Sequence, residues 1–159
     1  RMCQIWKREH GLEYVIMRPS ALYGTRDMVT RVISQMTKSA LTRNQITVQG
    51  PENRLDFSNV TDVADAFARA ATIDSAANEI FNCTRGYGRT ILEAAELVRD
   101  TLGKGEIQTK PHDPFYPNRD TLNSDKIKKL LGWKPTVDIE QGIPQYVEWF
   151  LQQKCYNEK

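Results

Sequence analysis

Cysteine and histidine are scarce in this sequence. The three cysteines (Cys3, Cys83, Cys155) lie far apart with no Cys-x-x-Cys pair, and the two histidines are His10 and His112. That excludes a disulfide framework and a Cys/His zinc site, and scattered free thiols fit a reducing compartment, the cytoplasm. Long apolar runs are also missing: none reaches the roughly 18 residues of a membrane span, and Arg1 opens a mixed segment without a signal-peptide core. Charge of one sign is not in excess. Twenty-two Lys and Arg are interspersed with twenty Asp and Glu for a net +2, which argues against nucleic-acid binding. No repeat, low-complexity tract or clean linker divides the chain.

What remains is an ordinary α/β pattern. At 159 residues with 40% apolar and 26% charged side chains, the chain holds one domain, or a small one plus part of another. Arg1 to His10 reads as a helix with Met2, Ile5 and Trp6 on one face and Gly11 as its stop. Glu13 to Arg18 reads as a buried parallel strand running into a Pro19-to-Gly24 loop, where open α/β sheets place their ligands. Asp27 can cap a helix to Leu41 with Met28, Val32, Ile33 and Met36 inward. A short strand, Ile46 to Val48, ends in the turn Gly50-Pro51-Glu52-Asn53, and Leu55 to Asn59 is extended. Asn59 or Thr61 starts a helix to Thr72 with Val63, Ala66, Phe67 and Ala70 inward. Glu79 to Cys83 is a strand, and Thr90 with Glu93 forms a capping box opening a helix to Leu102. Ile107 to Lys110 is extended, and a Pro-rich stretch follows (Pro111, Pro114, Pro117). Two more helices read as Asp125 to Leu131, stopped by Gly132, and Ile139 to Gln153 with Ile143, Tyr146, Val147 and Phe150 inward.

Four local patterns in one order give the sequence a resemblance. Arg18-Pro19-Ser20-Ala21-Leu22-Tyr23-Gly24 is similar to Arg-x-x-Asn-x-Tyr-Gly-Pro. Leu55-Asp56-Phe57 with Val60-Thr61-Asp62-Val63-Ala64 is similar to Arg-Asp-Phe-x-x-Val-x-Asp-Val-Ala. Phe81-Asn82, Gly86, Thr90 and Glu93 resemble Asn-x-Gly-x-Gly-x-x-x-Ser-x-x-Glu. Leu131-Gly132-Trp133-Lys134-Pro135 followed by Gly142 and Trp149 resembles a closing Leu-Gly-Trp-x-Pro…Gly…Trp pattern. Together they resemble the C-terminal part of the extended short-chain dehydrogenase/reductases, the NAD-dependent epimerases and dehydratases of nucleotide sugars. The resemblance implies an α/β, Rossmann-like fold with a small α/β substrate-binding domain. It divides the chain into residues 1–78, the last part of the Rossmann-like core interleaved with substrate-binding segments, and 79–159, mostly substrate-binding domain.

The same resemblance implies what these 159 residues do not contain. The family's Gly-x-x-Gly-x-x-Gly pyrophosphate turn and catalytic Tyr-x-x-x-Lys are absent from the sequence, and the Lys is expected a few residues before Arg1. The intact protein is expected to bind NAD or NADP and a nucleoside-diphosphate sugar, and the segment alone to bind no dinucleotide and catalyse no turnover.

By resemblance, Pro19 and Ser20 sit beside the nicotinamide, and Ala21 stands where the family usually carries a sugar-nucleotide-binding Asn. A methyl cannot make that bond. Thr25 replaces the usual Pro. Pyrophosphate requires cations. Arg54 is the nearest candidate, one place before the family's usual Arg, which is Leu55 here. Lys110 matches another family Arg, and Arg119 lies a short loop away. Each of the three is otherwise a solvated surface cation. Tyr23 reads as a packing residue, Asp62 as a first-turn helix acid, and Arg85 and Arg89 as loop arginines outside the site. The second reading, from another class, is a non-catalytic fragment that self-associates through an exposed sheet edge as a binding module. Both readings anticipate a homo-oligomer.

Overall fold

The computed structural model describes residues 1–27, 31–115 and 119–153. Met28, Pro117 and Cys155 lie outside them. The described strands form four two-stranded sheets, three of them parallel. β1 (Ile16–Arg18) pairs with β6 (Ile80–Asn82), and β2 (Ala21–Tyr23) pairs with β5 (Phe57–Asn59). A third parallel pair joins β3 (Gln45–Gln49) to β8 (Glu106–Lys110), and the short β4 (Arg54–Leu55) runs antiparallel to β7 (Arg89–Thr90). Parallel pairing needs long crossovers, and helices supply them.

The strand expected from Glu13 is shorter and less buried than its apolar run suggested. Its residues are half-buried to exposed, because β6 is its one sheet neighbour among the described residues. The loop expected after Pro19 holds a strand instead. Ala21 donates its N–H to the Asp56 carbonyl at 3.1 Å, and the register Ala21–Phe57, Leu22–Ser58, Tyr23–Asn59 follows.

The helices start where local chemistry satisfies their first N–H groups. α1 is Met2–His10 and ends on Gly11 at φ 70°. α2 is Val32–Arg43; the Arg31 N–H donates to the Ser34 hydroxyl at 3.0 Å, and that hydroxyl donates back to the Arg31 carbonyl at 2.9 Å. α3 (Val60–Thr72) is capped by the Asn59 side chain, which accepts the Thr61 N–H at 2.9 Å. α4 (Ile91–Leu102) carries the Thr90–Glu93 capping box that its sequence predicts. α5 is Asp125–Leu131 and α6 is Ile139–Leu151, the latter capped by Asp138.

Two apolar clusters hold these elements. One joins α2, β3, α4 and α6 through Ile33, Ile46, Val98, Ile143, Tyr146 and Phe150. The other joins α3, β6 and α5 around Phe81, Ile127, Leu131 and Trp133. Each draws on residues from both sides of residue 78, so the chain's two stretches support one another. Phe67, expected inward on α3, is 47% exposed, while Val63, Ala66 and Ala70 are buried. Val63, Ala66 and Ala70 share a buried cluster with Ile127, Leu131 and Trp133, and Phe67 is not part of it.

Candidate functional site

Asp56 joins the start of β2 to the loop after β6, its backbone carbonyl on one side and its buried carboxylate on the other. It is 0% exposed. Its Oδ2 accepts the Gly86 N–H at 3.0 Å and the Leu122 N–H at 3.4 Å, and its Oδ1 accepts the Ser58 hydroxyl at 3.4 Å. The Ser58 Oγ in turn accepts the Arg85 N–H at 3.1 Å. With the Ala21 N–H on its own carbonyl, Asp56 ties the Pro19–Ala21 corner to the loop after β6 and to the segment before α5. A buried carboxylate needs such donors, since an unpaired one costs several kcal/mol.

The residues singled out from the sequence lie around this tie. Pro19 is exposed and Ser20 half-buried at the end of β1; the Ser20 carbonyl accepts the Leu22 N–H at 2.8 Å. Neither the Pro19 carbonyl nor the Ser20 N–H finds a backbone partner among the described residues. Ala21 opens β2. Arg54 is exposed, and its Nη1 donates to the Gly88 carbonyl at 3.1 Å. A Cβ on Gly88 would lie 3.1 Å from the Asp120 carboxylate and 3.4 Å from the Arg54 Cβ. Arg54 therefore sits close to the segment that carries Arg119, which is itself exposed. Lys110 is exposed at the end of β8; its carbonyl accepts the Gly50 N–H at 2.9 Å, which links it through the Gly50–Asn53 turn to Arg54.

Past Ala21 the chain forms a small cleft of ≈ 180 Å³ lined by Leu22, Tyr23, Gly24, Arg26, Asp27 and Arg31, with Val60 across from them. Gly24 is required there. At φ 138° a Cβ would lie 2.5 Å from the Val60 Cγ1. Arg26 and Arg31 were not singled out from the sequence; two arginines within eight residues of a strand-end Tyr-Gly are the signal that points to them.

Tyr23 walls this cleft and is not an acid-base group at neutral pH. It is 2% exposed, its hydroxyl donates to the Asp138 carbonyl at 3.4 Å, and burial pushes its pKa up to about 12. Gly142 of α6 leaves room for the Tyr23 hydroxyl; a Cβ would collide with it. Cys83, at the end of β6, is buried, and burial raises its thiol to about 11.

Asp62 does more than favour the helix dipole. Its Oδ1 accepts the Thr136 N–H at 3.0 Å and the Thr136 hydroxyl at 2.8 Å, and its Oδ2 accepts the Val137 N–H at 2.9 Å. Its carbonyl accepts the Trp133 Nε1–H at 2.9 Å. One residue thus fastens the segment from Trp133 to Val137 onto α3. Arg85 and Arg89 are held by acids on that side: Arg85 pairs with Asp138 at 2.6 Å, and Arg89 with Glu140 at 2.5 Å and Glu93 at 3.4 Å. The Arg89 hydrogen bond is the chief reason that the Glu140 carboxyl sits below the usual range. Among the described residues no cluster of His, Cys, Asp and Glu is placed to hold a metal ion, and no helix is long and apolar enough to cross a membrane.

Comparison with known proteins accounts for this arrangement. The model of the NAD dependent epimerase/dehydratase family matches residues 1–84. A dTDP-glucose 4,6-dehydratase from Streptomyces niveus is 28% identical over 154 residues, covering 95% of this chain and 46% of that protein. The UDP-glucose 4-epimerase of Thermotoga maritima, solved with UDP-glucose, superposes with a TM-score of 0.85 at 30% identity, over 94% of this chain and 49% of the other. An epimerase from Methanothermobacter thermautotrophicus shares the fold with a TM-score of 0.90 at 17% identity, over 98% and 48%. The chain spans about half the length of the relatives it matches, and its α/β architecture is that of the Rossmann-like short-chain dehydrogenase/reductases. With a family match across more than half its length, the chain belongs to the NAD dependent epimerase/dehydratase family.

Proposed function

We propose that this chain is the C-terminal, sugar-nucleotide-binding part of an NAD(P)-dependent nucleoside-diphosphate-sugar epimerase/dehydratase. The observation that carries this reading is the cleft at the end of β2. Tyr23 and Gly24 shape its floor, and two arginines, Arg26 and Arg31, line it beside the corner tied down by Asp56. Two guanidiniums beside one small cleft suit a diphosphate, whose oxygens take Arg bidentately. Leu55 cannot supply the cation the family usually has there, so Arg26 and Arg31 take over part of that work. Arg54, Lys110 and Arg119 are the further cations this reading assigns to the sugar nucleotide, and the Ala21 methyl leaves a sugar or nucleoside hydroxyl without its usual amide partner.

Pro19 and Ser20 fit a nicotinamide. They offer a backbone carbonyl and an N–H with no internal backbone partner among the described residues, the donor and acceptor a carboxamide requires. A bound NAD or NADP supplies the hydride acceptor and donor. The chain's own residues orient the sugar against it, neutralise the diphosphate and hold the strand end rigid. Proton abstraction needs a group within hydrogen-bond reach. These 159 residues contain neither a Tyr four residues before a Lys nor a Gly-x-x-Gly-x-x-Gly turn, so on this reading the segment alone turns nothing over and holds no dinucleotide by itself. Residues 1–78 then carry the last part of the Rossmann-like core with interleaved substrate segments, 79–159 mostly the substrate-binding domain, and the intact protein works in the cytoplasm.

The coding sequence upstream of Arg1 tests this. In-frame codons for Gly-x-x-Gly-x-x-Gly and, just before Arg1, Tyr-x-x-x-Lys support the enzyme; a natural start codon at or just before Arg1 contradicts it.

A second reading has its own observation. No residue of α1 is buried, and Met2, Ile5 and Trp6 are 69%, 45% and 48% exposed on one face. A second copy of the chain covering that stripe makes a homo-oligomer, as does pairing at the open edge of β1. Light scattering during size exclusion at several concentrations reports it: mass rising with concentration agrees, and a monomer throughout disagrees.

A further inference from the structure

A second and larger cleft, of ≈ 500 Å³, opens on the far side of Asp138 and shares no lining residue with the cleft at Tyr23–Arg31. Its walls are Arg85, Tyr87, Lys128, Lys134, Pro135 and Asp138. They come from the loop after β6, from α5 and from the segment between α5 and α6, so three separate stretches converge on one opening. The volume lies in the range of small-ligand sites.

Its chemistry is specific. Three cations face one carboxylate, and that carboxylate is already engaged: Asp138 accepts the Ile139 N–H at 2.9 Å and pairs with Arg85 at 2.6 Å. Arg85 is fixed further by its bond to the Val137 carbonyl at 3.1 Å, and its side chain is 20% exposed. The Lys128 ammonium has only a 3.5 Å approach to Asp125, and Lys134 is exposed with no ion-pair or hydrogen-bond partner among the described residues. Tyr87 stands at the mouth, 57% exposed, with the Arg89 guanidinium 5.9 Å from its ring centre. A phosphate would meet the Lys134 ammonium, with Lys128, already paired with Asp125, beside it, and a flat ring would lie against Tyr87 and Pro135.

We infer that this cleft binds an organic phosphate carrying an aromatic ring, of the size of a nucleoside monophosphate, independently of the cleft at Tyr23–Arg31. The Asp62 carboxylate, which fastens Thr136 and Val137 to α3, keeps the floor of the cleft in place without touching the ligand.

The test is a titration of the isotope-labelled 159-residue chain with AMP, and separately with inorganic phosphate, followed by two-dimensional NMR. The inference expects AMP to move the signals of Arg85, Tyr87 and Lys134 and to bind more tightly than inorganic phosphate. The exposed double variant Lys128→Glu/Lys134→Glu should weaken AMP by about tenfold or more, the loss of charged hydrogen bonds to one phosphate. Tyr87→Ala should erase the advantage of AMP over inorganic phosphate. No movement of these signals, movement confined to residues 22–31, indifference to the lysine variant, or equal affinity for the two probes each overturns it. The thermal transition of both variants, unchanged from the parent, separates lost binding from lost fold.

Discussion

The Tyr23 hydroxyl donates to the carbonyl of Asp138 at 3.4 Å, across 115 residues of sequence. Tyr23 walls one cleft and Asp138 the other, so this contact links a residue of each and fastens the strand end to the start of α6. The bond is long, and its energy is small compared with the burial of the ring. Tyr23→Phe should cost no more than about 1 kcal/mol of stability, whereas Tyr23→Ala should cost about 3–5 kcal/mol through the cavity it leaves. Urea unfolding of the two variants measures the difference.

Gly142 gives the matching steric prediction. A Cβ there collides with the Tyr23 hydroxyl and lies 2.8 Å from the Asn59 Nδ2. Gly142→Ala, normally favourable within a helix, should instead destabilise by about 1–3 kcal/mol. The double variant Gly142→Ala/Tyr23→Phe should recover part of that loss if the hydroxyl is the obstacle, as a double-mutant cycle would show.

Asp62 should be among the most sensitive polar positions. Replacing it with Ala strips the acceptor from the Thr136 N–H, the Thr136 hydroxyl and the Val137 N–H together. Bonds to a charged acceptor contribute about 1.5–3 kcal/mol each, but not additively. A loss of about 3 kcal/mol in denaturant unfolding is expected, with hydrogen exchange accelerated first at residues 136 and 137.

Alkaline pH should weaken the fold. Burial raises the Cys83 thiol from 9.0 to about 11 and the Tyr23 hydroxyl from 10.0 to about 12. In both cases the folded form keeps its proton where the unfolded chain has lost it. The sign is therefore a loss: stability is intact below pH 9, and falls as pH rises through 11 and 12. Each group contributes at most about 3 kcal/mol to that loss. Chemical unfolding at pH 8, 10 and 11 measures it, and Cys83→Ser should flatten the first part of the fall.

Much of the fold was legible in the sequence because the signals are local. The Thr90–Glu93 box fixes the start of α4 and Gly132 after Leu131 the end of α5, whereas the helix read as capped by Asp27 begins at Val32, behind the Arg31–Ser34 hydrogen bonds. What escaped depends on partners far along the chain. β2 exists because residues 57–59 lie beside it, and nothing in Ala21-Leu22-Tyr23 announces that pairing. Phe67 looked inward because its spacing matches the stripe, yet the buried arc of α3 ends before it. Asp56 and Asp62 read as motif acids, and their bonds reach 30 to 75 residues away. The strand end at Pro19–Ala21 was singled out from its motif alone; Arg26 and Arg31 come into view only because the turn after Tyr23 folds around Gly24 and brings them to one cleft.

Calorimetric titration of the chain with UDP-, GDP-, CDP- and dTDP-sugars tests the sugar-nucleotide half-site proposed at the end of β2. At least one should bind, NAD and NADH should not, and the double variant Arg26→Ala/Arg31→Ala should abolish the heat. No sugar nucleotide binding at millimolar concentration, or binding that survives the loss of both arginines, would contradict the claim.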